Sequence, residues 1–234
     1  MNDRKVLVLG GTGPAGICLL RELVYRNHAT IVFARSPAKV PVDLASNSLI
    51  EIIKGEVTDP TALSAAVARS SVVVSLLGPD IKRDRKIDPW FFPNIYTKSV
   101  FPAMRQHGVK RILAMGTLTI KQPEDSWTVI QSAVGVLMPL LANNLYRTMI
   151  NLAGVFEQEA QSLDWTIFRI TGIPGESDEA SWRRDREGQL FTGPIGGKGW
   201  TSSIKRSALA RWLVDAVEGK ADAWIGKMPA VSNL

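Results

Sequence analysis

Short β-branched runs recur along the chain with room for one helix between successive members: Lys5–Leu9, Thr30–Ala34, Leu49–Ile53, Val72–Leu77, Arg111–Met115 and Thr166–Ile170. Between them, Pro14–Arg26, Pro60–Ala68, Asn94–His107 and Leu145–Gln161 read as helices. Pro14 and Pro60 stand where a first helical turn tolerates a missing N–H. Alternating strand and helix is the pattern of a parallel sheet built from right-handed crossovers. Val72-Val73-Val74 is apolar on both faces, as a strand covered by helices on both sides must be. The predicted fold is α/β, a doubly wound parallel sheet.

Two stretches break the alternation. Thr128–Leu141 is unusually apolar for a connection and suits either a lid over a substrate or an oligomer surface. After Ile170 the pattern loosens into a segment rich in Gly, Asp, Arg and Trp, so a small C-terminal substrate-side lobe is expected over about 172–205. A helix is expected at Ser207–Glu218. A closing strand is expected within Trp224–Val231, where Pro229 suits a sheet edge better than its centre.

Length and composition narrow the picture. The 234 residues, 45% hydrophobic and 21% charged, fit one globular domain over residues 1–234. The first apolar run ends at Leu9, far short of the ~18 residues of a membrane span, so no membrane partner and a cytoplasmic location are expected. The single cysteine, Cys18, reads as core packing, and with only His28 and His107 besides, no metal site is expected. The net charge of +6 suits polyanions in principle. Its densest clusters, Lys82–Lys86 and Arg183–Arg186, each contain an acid and lack regularly spaced aromatics, so they read as solvated loops or small-anion contacts rather than a nucleic-acid surface.

The chemistry begins at the first strand, which runs directly into Gly10-Gly11-Thr12-Gly13-Pro14-Ala15-Gly16 and then a helix. Glycines at this corner permit a tight turn and bring backbone N–H groups close to a pyrophosphate, while Gly16 lets the helix pack on the strand. Both Gly11-x-Gly13-x-x-Gly16 and Gly10-x-x-Gly13-x-x-Gly16 fit. The fold expectation is therefore Rossmann-type. An acid at the end of the second strand would bind the ribose 2′-hydroxyl of NAD, whereas an arginine accommodates the 2′-phosphate of NADP. Here the strand ends Ala34-Arg35-Ser36, with no acid before Asp43, so the expected cofactor is NADP(H), held by Arg35 and Ser36 with help from Lys39.

Together with FARSPAK at Phe33–Lys39, GEVTDP at Gly55–Pro60, SLLGP at Ser75–Pro79 and LDWTIFRITGI at Leu163–Ile173, the glycine turn resembles the atypical short-chain dehydrogenase/reductase superfamily. The similarity is to its NmrA-like NAD(P)H-binding branch, which includes the averufin-oxidase-like proteins of fungal polyketide pathways. It extends over nearly the whole chain. The resemblance implies that Glu56 and Val57 lie beside the adenine and that Leu77 and Gly78 line the dinucleotide. It also implies that Thr117 sits near the nicotinamide ribose and that Ile170 to Ile173 flank the nicotinamide ring.

One departure bears on activity. Conventional members use a Tyr-x-x-x-Lys pair for proton exchange during hydride transfer. Here Tyr25, Tyr96 and Tyr146 are followed four residues on by Ala29, Val100 and Ile150, so the pair is absent. The remaining candidate proton donors are Thr117, Thr119, Lys121 and Tyr146. Hydride transfer to a conjugated or quinone-like acceptor can take its proton from solvent, and Trp90, Phe91, Phe92, Trp127, Trp182 and Trp200 suit a small hydrophobic aromatic partner. The leading expectation is an NADP(H)-dependent oxidoreductase acting on an aromatic or polyketide-like molecule, with secondary metabolism implied by the resemblance alone. A non-redox isomerase, cyclase or dehydratase on the same scaffold and an NADP(H)-sensing regulator stand beside it. Either a monomer or a homodimer is compatible with the sequence.

Overall fold

The computed structural model describes residues 5–79 and 88–234. Its eight strands are β1 (Lys5–Leu9), β2 (Thr30–Ala34), β3 (Ile50–Lys54), β4 (Ser70–Ser75), β5 (Arg111–Thr117), β6 (Asp164–Ile170), β7 (Leu190–Gly193) and β8 (Ala230–Asn233). They form one sheet in the order β3-β2-β1-β4-β5-β6-β8-β7, parallel except for the antiparallel pair of β7 with β8. The chain leaves β1 for β2 on one side and returns to β4 on the other. That reversal opens a crevice at the carboxyl ends of β1 and β4, where α/β sheets bind ligands.

Helices cover both faces, as the apolar central strands require. On one face lie α3 (Pro60–Val67), α4 (Phe91–Ile95), a π turn (Tyr96–Val100), α5 (Phe101–Gln106) and α7 (Asn143–Glu159). On the other lie α1 (Pro14–Tyr25), α8 (Glu179–Asp185) and α9 (Arg206–Val217), with α2 (Val42–Ala45) at its margin. Alternation along β4 sends Val73 into the first core and Val72 and Val74 into the second. The π turn precedes Pro102, which has no N–H to return to the carbonyl four residues back. Tyr96, at its start, is fully buried and shares a 2.6 Å hydrogen bond with Ser75. Burial pushes its phenol up to about 12, so it holds its proton throughout the neutral range.

All six expected strands are present, with ends displaced by two residues or fewer. The expectations that fail are those about connections. The apolar connection Thr128–Leu141 forms a helix of its own: Thr128 caps α6 (Val129–Leu141) by accepting from the Gln131 N–H. The segment 172–205 contains α8 and β7. Arg183–Asp185 closes helix α8, which Asp178 caps, rather than forming a loop; Arg183 and Arg184 are exposed as expected, while Arg186, at the helix C-cap, pairs with Glu22, a fully buried carboxylate on α1. The cluster Lys82–Lys86 lies outside the described residues. The closing strand β8 is not an edge but is inserted between β6 and β7. Pro229 is tolerated there because it precedes the strand and contributes only its carbonyl, which accepts from the Arg169 N–H at 2.8 Å. Cys18 is buried, and its thiol is raised by that burial.

At the far edge, Glu51 on β3 accepts from Arg69 in the turn before β4 and from Lys5 on β1, tying two strands and that turn. The Arg69 hydrogen bonds, then Lys5, hold the Glu51 carboxyl down at about 2, against an ordinary value of 4.5. A carboxyl depressed on folding stabilises above its unfolded pKa and loses that contribution as the pH falls through its folded pKa. Glu51→Gln is therefore expected to cost about 0.5–1 kcal/mol at pH 7, with partial exposure screening the pair. In urea melts the difference should shrink between pH 4.5 and about 2. A pH-independent gap would assign the effect to packing.

Candidate functional site

The glycine turn is built by steric exclusion. Gly10 has φ +82°, the left-handed region that favours glycine, and a Cβ there would stand 3.0 Å from the Leu76 backbone. At Gly11 a Cβ would meet Val32 at 2.8 Å, and at Gly16 it would lie 2.4 Å from the Gly10 carbonyl oxygen, so α1 packs directly on the turn. Gly13 differs. A Cβ there would have only the Gly10 oxygen, at an ordinary 3.7 Å, so the space before it is open. Gly13 is also the N-cap of α1, with Pro14 at the first helical position, no capping side chain and no acid in the first turn. The N–H groups of Ala15 and Gly16 thus lack both an intrahelical carbonyl and a side-chain cap. The arrangement suits a pyrophosphate: donors, a positive helix end and room for the group.

From the turn, a cleft of about 350 Å³ runs over the end of β2. It is lined by Gly10, Thr12, Phe33, Ala34, Arg35, Ser36, Lys39, Gly55, Glu56, Val57, Thr58, Leu77, Phe91 and Phe92. Arg35 is exposed and has no hydrogen-bond or ion-pair partner among the described residues. Ser36 and Lys39 flank it across a 3-10 turn (Pro37–Lys39). Asp43, the first acid after β2, is held by Arg21 at 2.5 Å and does not line the cleft. The cleft floor is fixed by Gly55, where a Cβ would come within 2.3 Å of the Phe33 ring.

Most of the expected cofactor contacts therefore converge: Gly10, Thr12, Arg35, Ser36, Glu56, Val57 and Leu77 share one wall system, with Gly13 and Ala15 at the helix end beside it. Gly78 lies next to Leu77 and close to the Met115 side chain. Ile170 does not reach the cleft; its side chain is buried in the core formed with α1 and α9, and Ile173 packs against the same core. Residues 172–205 do not line this cleft: α8 sits on α1 and α9, and Gly193 and Pro194 line the cavity beside β6 instead. Trp182 is part of that packing, its indole donating to Glu22. Phe91 and Phe92, expected on the substrate side, line the same cleft as Arg35, Ser36 and Val57. No local pattern marks this, since helix α4 reaches β2's end only through the tertiary fold.

The candidate proton donors are less closely gathered. Thr117 closes β5 and shares a 2.6 Å hydrogen bond with Thr119. Lys121 is exposed and lies over Gly135 of α6, and Tyr146 is half-buried in the first turn of α7. No hydrogen bond joins Thr117, Lys121 and Tyr146 to one another among the described residues. Beside β6 a second cavity of about 370 Å³ contains Arg169, Gln122, Glu124 and Lys227. Its buried cation is already committed, because Arg169 donates to both oxygens of Asp125 at 2.5 and 2.8 Å and to the Ile120 carbonyl. Among the described residues no three His, Cys, Asp or Glu side chains gather as metal ligands do.

Comparison with known proteins agrees with this geometry. The model of a family described as NAD(P)H-binding matches residues 10–220. An uncharacterized chloroplastic protein of Arabidopsis thaliana is 23% identical over 93% of this chain and 73% of its own length. A wide-type short-chain dehydrogenase/reductase from Veillonella parvula, solved in complex with NADP, superposes with a TM-score of 0.72 at 14% identity, covering 98% of this chain and 94% of that one. An oxidoreductase from Lactococcus lactis gives 0.70 at 18% identity, with 98% and 91% covered.

Proposed function

Since the chain belongs to the NAD(P)H-binding family, we propose that it is an NADPH-dependent oxidoreductase, of the atypical short-chain dehydrogenase/reductase type, acting on a flat, hydrophobic, aromatic or polyketide-like molecule. The observation that carries the cofactor preference is Arg35, a guanidinium at the end of β2 with no ion-pair partner among the described residues; the first acid after the strand, Asp43, is held by Arg21 outside the cleft, and the one acid in the lining, Glu56, follows β3 instead. The NADP in the Veillonella structure supports the same reading.

When bound, the reduced cofactor supplies a hydride to the acceptor. The chain's part is to hold and orient. The uncapped start of α1 would take the pyrophosphate, Arg35 with Ser36 and Lys39 the 2′-phosphate, and Val57, Phe91 and Phe92 the adenine. At the other end, the Thr117 hydroxyl would donate to the substrate oxygen, oriented by its bond to Thr119. Lys121 and Tyr146 are further candidates for that proton. An acceptor that delocalises its charge needs little more than this positioning, which fits a site without a Tyr-x-x-x-Lys pair. The same absence favours, as a second reading, non-redox catalysis with the cofactor as part of the pocket wall.

Arg35→Ala tests the cofactor assignment. Losing charge-assisted hydrogen bonds worth about 1.5–3 kcal/mol predicts that NADPH affinity falls roughly 10–100-fold, while NADH affinity changes little. Calorimetric titration reads both, and equal losses overturn the assignment. NADPH oxidation against quinones and enones then separates the two catalytic readings. Turnover without change at the nicotinamide absorbance selects the non-redox one.

A further inference from the structure

Helix α6 is amphipathic in the reverse sense to a normal surface helix, whose apolar stripe faces the core. Its inward face carries the polar Gln131, buried and donating to Asp125 at 3.2 Å, beside Val134 packed on Leu118 and Ile195. Its outward face carries Val129, Val136, Leu137, Leu140 and Leu141 at helical spacing, preceded by Trp127. Trp127, Leu140 and Leu141 are each at least three-quarters exposed (78%, 75% and 77%). Contiguous exposed apolar stripes of this kind mark interaction surfaces, since monomeric proteins usually leave no more than roughly a few hundred Å² of such surface uncovered.

We propose that α6 docks this protein onto the surface of an anionic lipid bilayer, lying in the interfacial plane with its apolar stripe among the acyl chains. From Ser126 to Tyr146 the sequence carries no charged residue. The groups at its margins, Lys121 and Arg147, are exposed cations without a charge partner among the described residues, while Glu124 turns to the cavity beside β6. With a net charge of +6, the chain complements anionic headgroups. Trp127 and Tyr146 bracket the helix as aromatic residues do at the level of headgroups.

A second protein surface fits less well. Protein interfaces carry about one hydrogen bond per 100–200 Å², yet the stripe has almost none to offer, since Thr128 is spent on the cap and Gln131 faces inward. Spanning is not required. Among the described residues no single helix is long and apolar enough to cross a membrane, and the chain turns by 118° between α6 and α7. The sequence-based expectation of no membrane partner rested on the missing span, and a helix lying on a bilayer needs none.

The test is flotation of the full chain with vesicles of phosphatidylcholine alone and of phosphatidylcholine containing phosphatidylserine, in low and high salt. Wild type is expected to float with the anionic vesicles, less so in salt or with neutral lipid. Two leucines removed from the acyl region predict that the double variant Leu137→Asp, Leu140→Asp binds about 100-fold more weakly, with unchanged melting temperature and NADPH affinity. Failure of wild type to float overturns the proposal. So does a dimer, seen by light scattering, that the double variant splits while neither protein binds vesicles.

Discussion

Gly13→Leu is expected to lower the affinity for both NADPH and NADH by at least about 100-fold, close to 3 kcal/mol, with the fold retained. The residue has φ −82° and ψ 164°, an extended conformation open to any L-residue, and a Cβ would touch nothing closer than 3.7 Å. Leucine there loses a favourable N-cap at a cost of about 1 kcal/mol, or a fall of about 2–4 °C in Tm for a domain of this size. Its side chain fills the space before the helix end that a pyrophosphate would use. Gly16→Leu provides the contrast. Its Cβ would collide with the Gly10 carbonyl and the Gly11 backbone, so it should unfold the turn rather than merely block it. Calorimetry with both nucleotides, alongside thermal melts, distinguishes the two. Undiminished nucleotide affinity in a folded Gly13→Leu protein would remove the turn from the site.

Asp125→Ala is expected to be the most destabilising single change outside the sheet core, by about 3–5 kcal/mol, because it leaves a buried cation unpaired. Arg169 is 1% exposed and Asp125 accepts from it twice, as well as from the Gln122 and Ile195 N–H groups and the Gln131 amide. One carboxylate thus joins β6, the loop after β5, the start of α6 and the turn after β7. Burial by itself would raise the Asp125 carboxyl, but these hydrogen bonds, Arg169's first, hold it below its ordinary 3.8. The stabilisation it gives is full above the unfolded pKa and is lost as the pH falls through the lower folded one. The gap between wild type and variant in denaturant melts should accordingly close only below pH 3.8. Replacing both partners, Asp125→Leu with Arg169→Met, should recover much of the loss. A double variant as unstable as the single one would show that the backbone contacts to Ile195 and Gln122, not the charge, carry the effect.

The two variants probe parts of the molecule that were unequally legible. The Gly10–Gly16 turn was readable because everything that defines it lies within a few residues: a strand, glycines where side chains would collide, and a helix start. Arg35 was readable for the same reason, standing directly after a strand whose end faces the crevice. The Asp125–Arg169 pair was not, since its partners are 44 residues apart and neither belongs to a local pattern. The core that takes up Ile170 was not legible either, because a strand's alternation fixes that its side chain is buried, not which face of the sheet buries it. Arg186 was misread because the buried Glu22 that engages it sits 164 residues earlier.

By itself, then, the sequence determined the alternation of strands and helices, the glycine turn between β1 and α1 and the cation that follows β2, since each is encoded by near-neighbour periodicity and backbone sterics. The tertiary structure decided what periodicity does not carry, which is what covers each face. It brought Phe91 and Phe92 into the cleft over the end of β2, set β8 inside the sheet, and packed α8 against α1 and α9. It also turned the apolar stripe of α6 outward. An amphipathic pattern states that one side of a helix avoids water; only the packing of distant segments states whether the protein supplies the shelter.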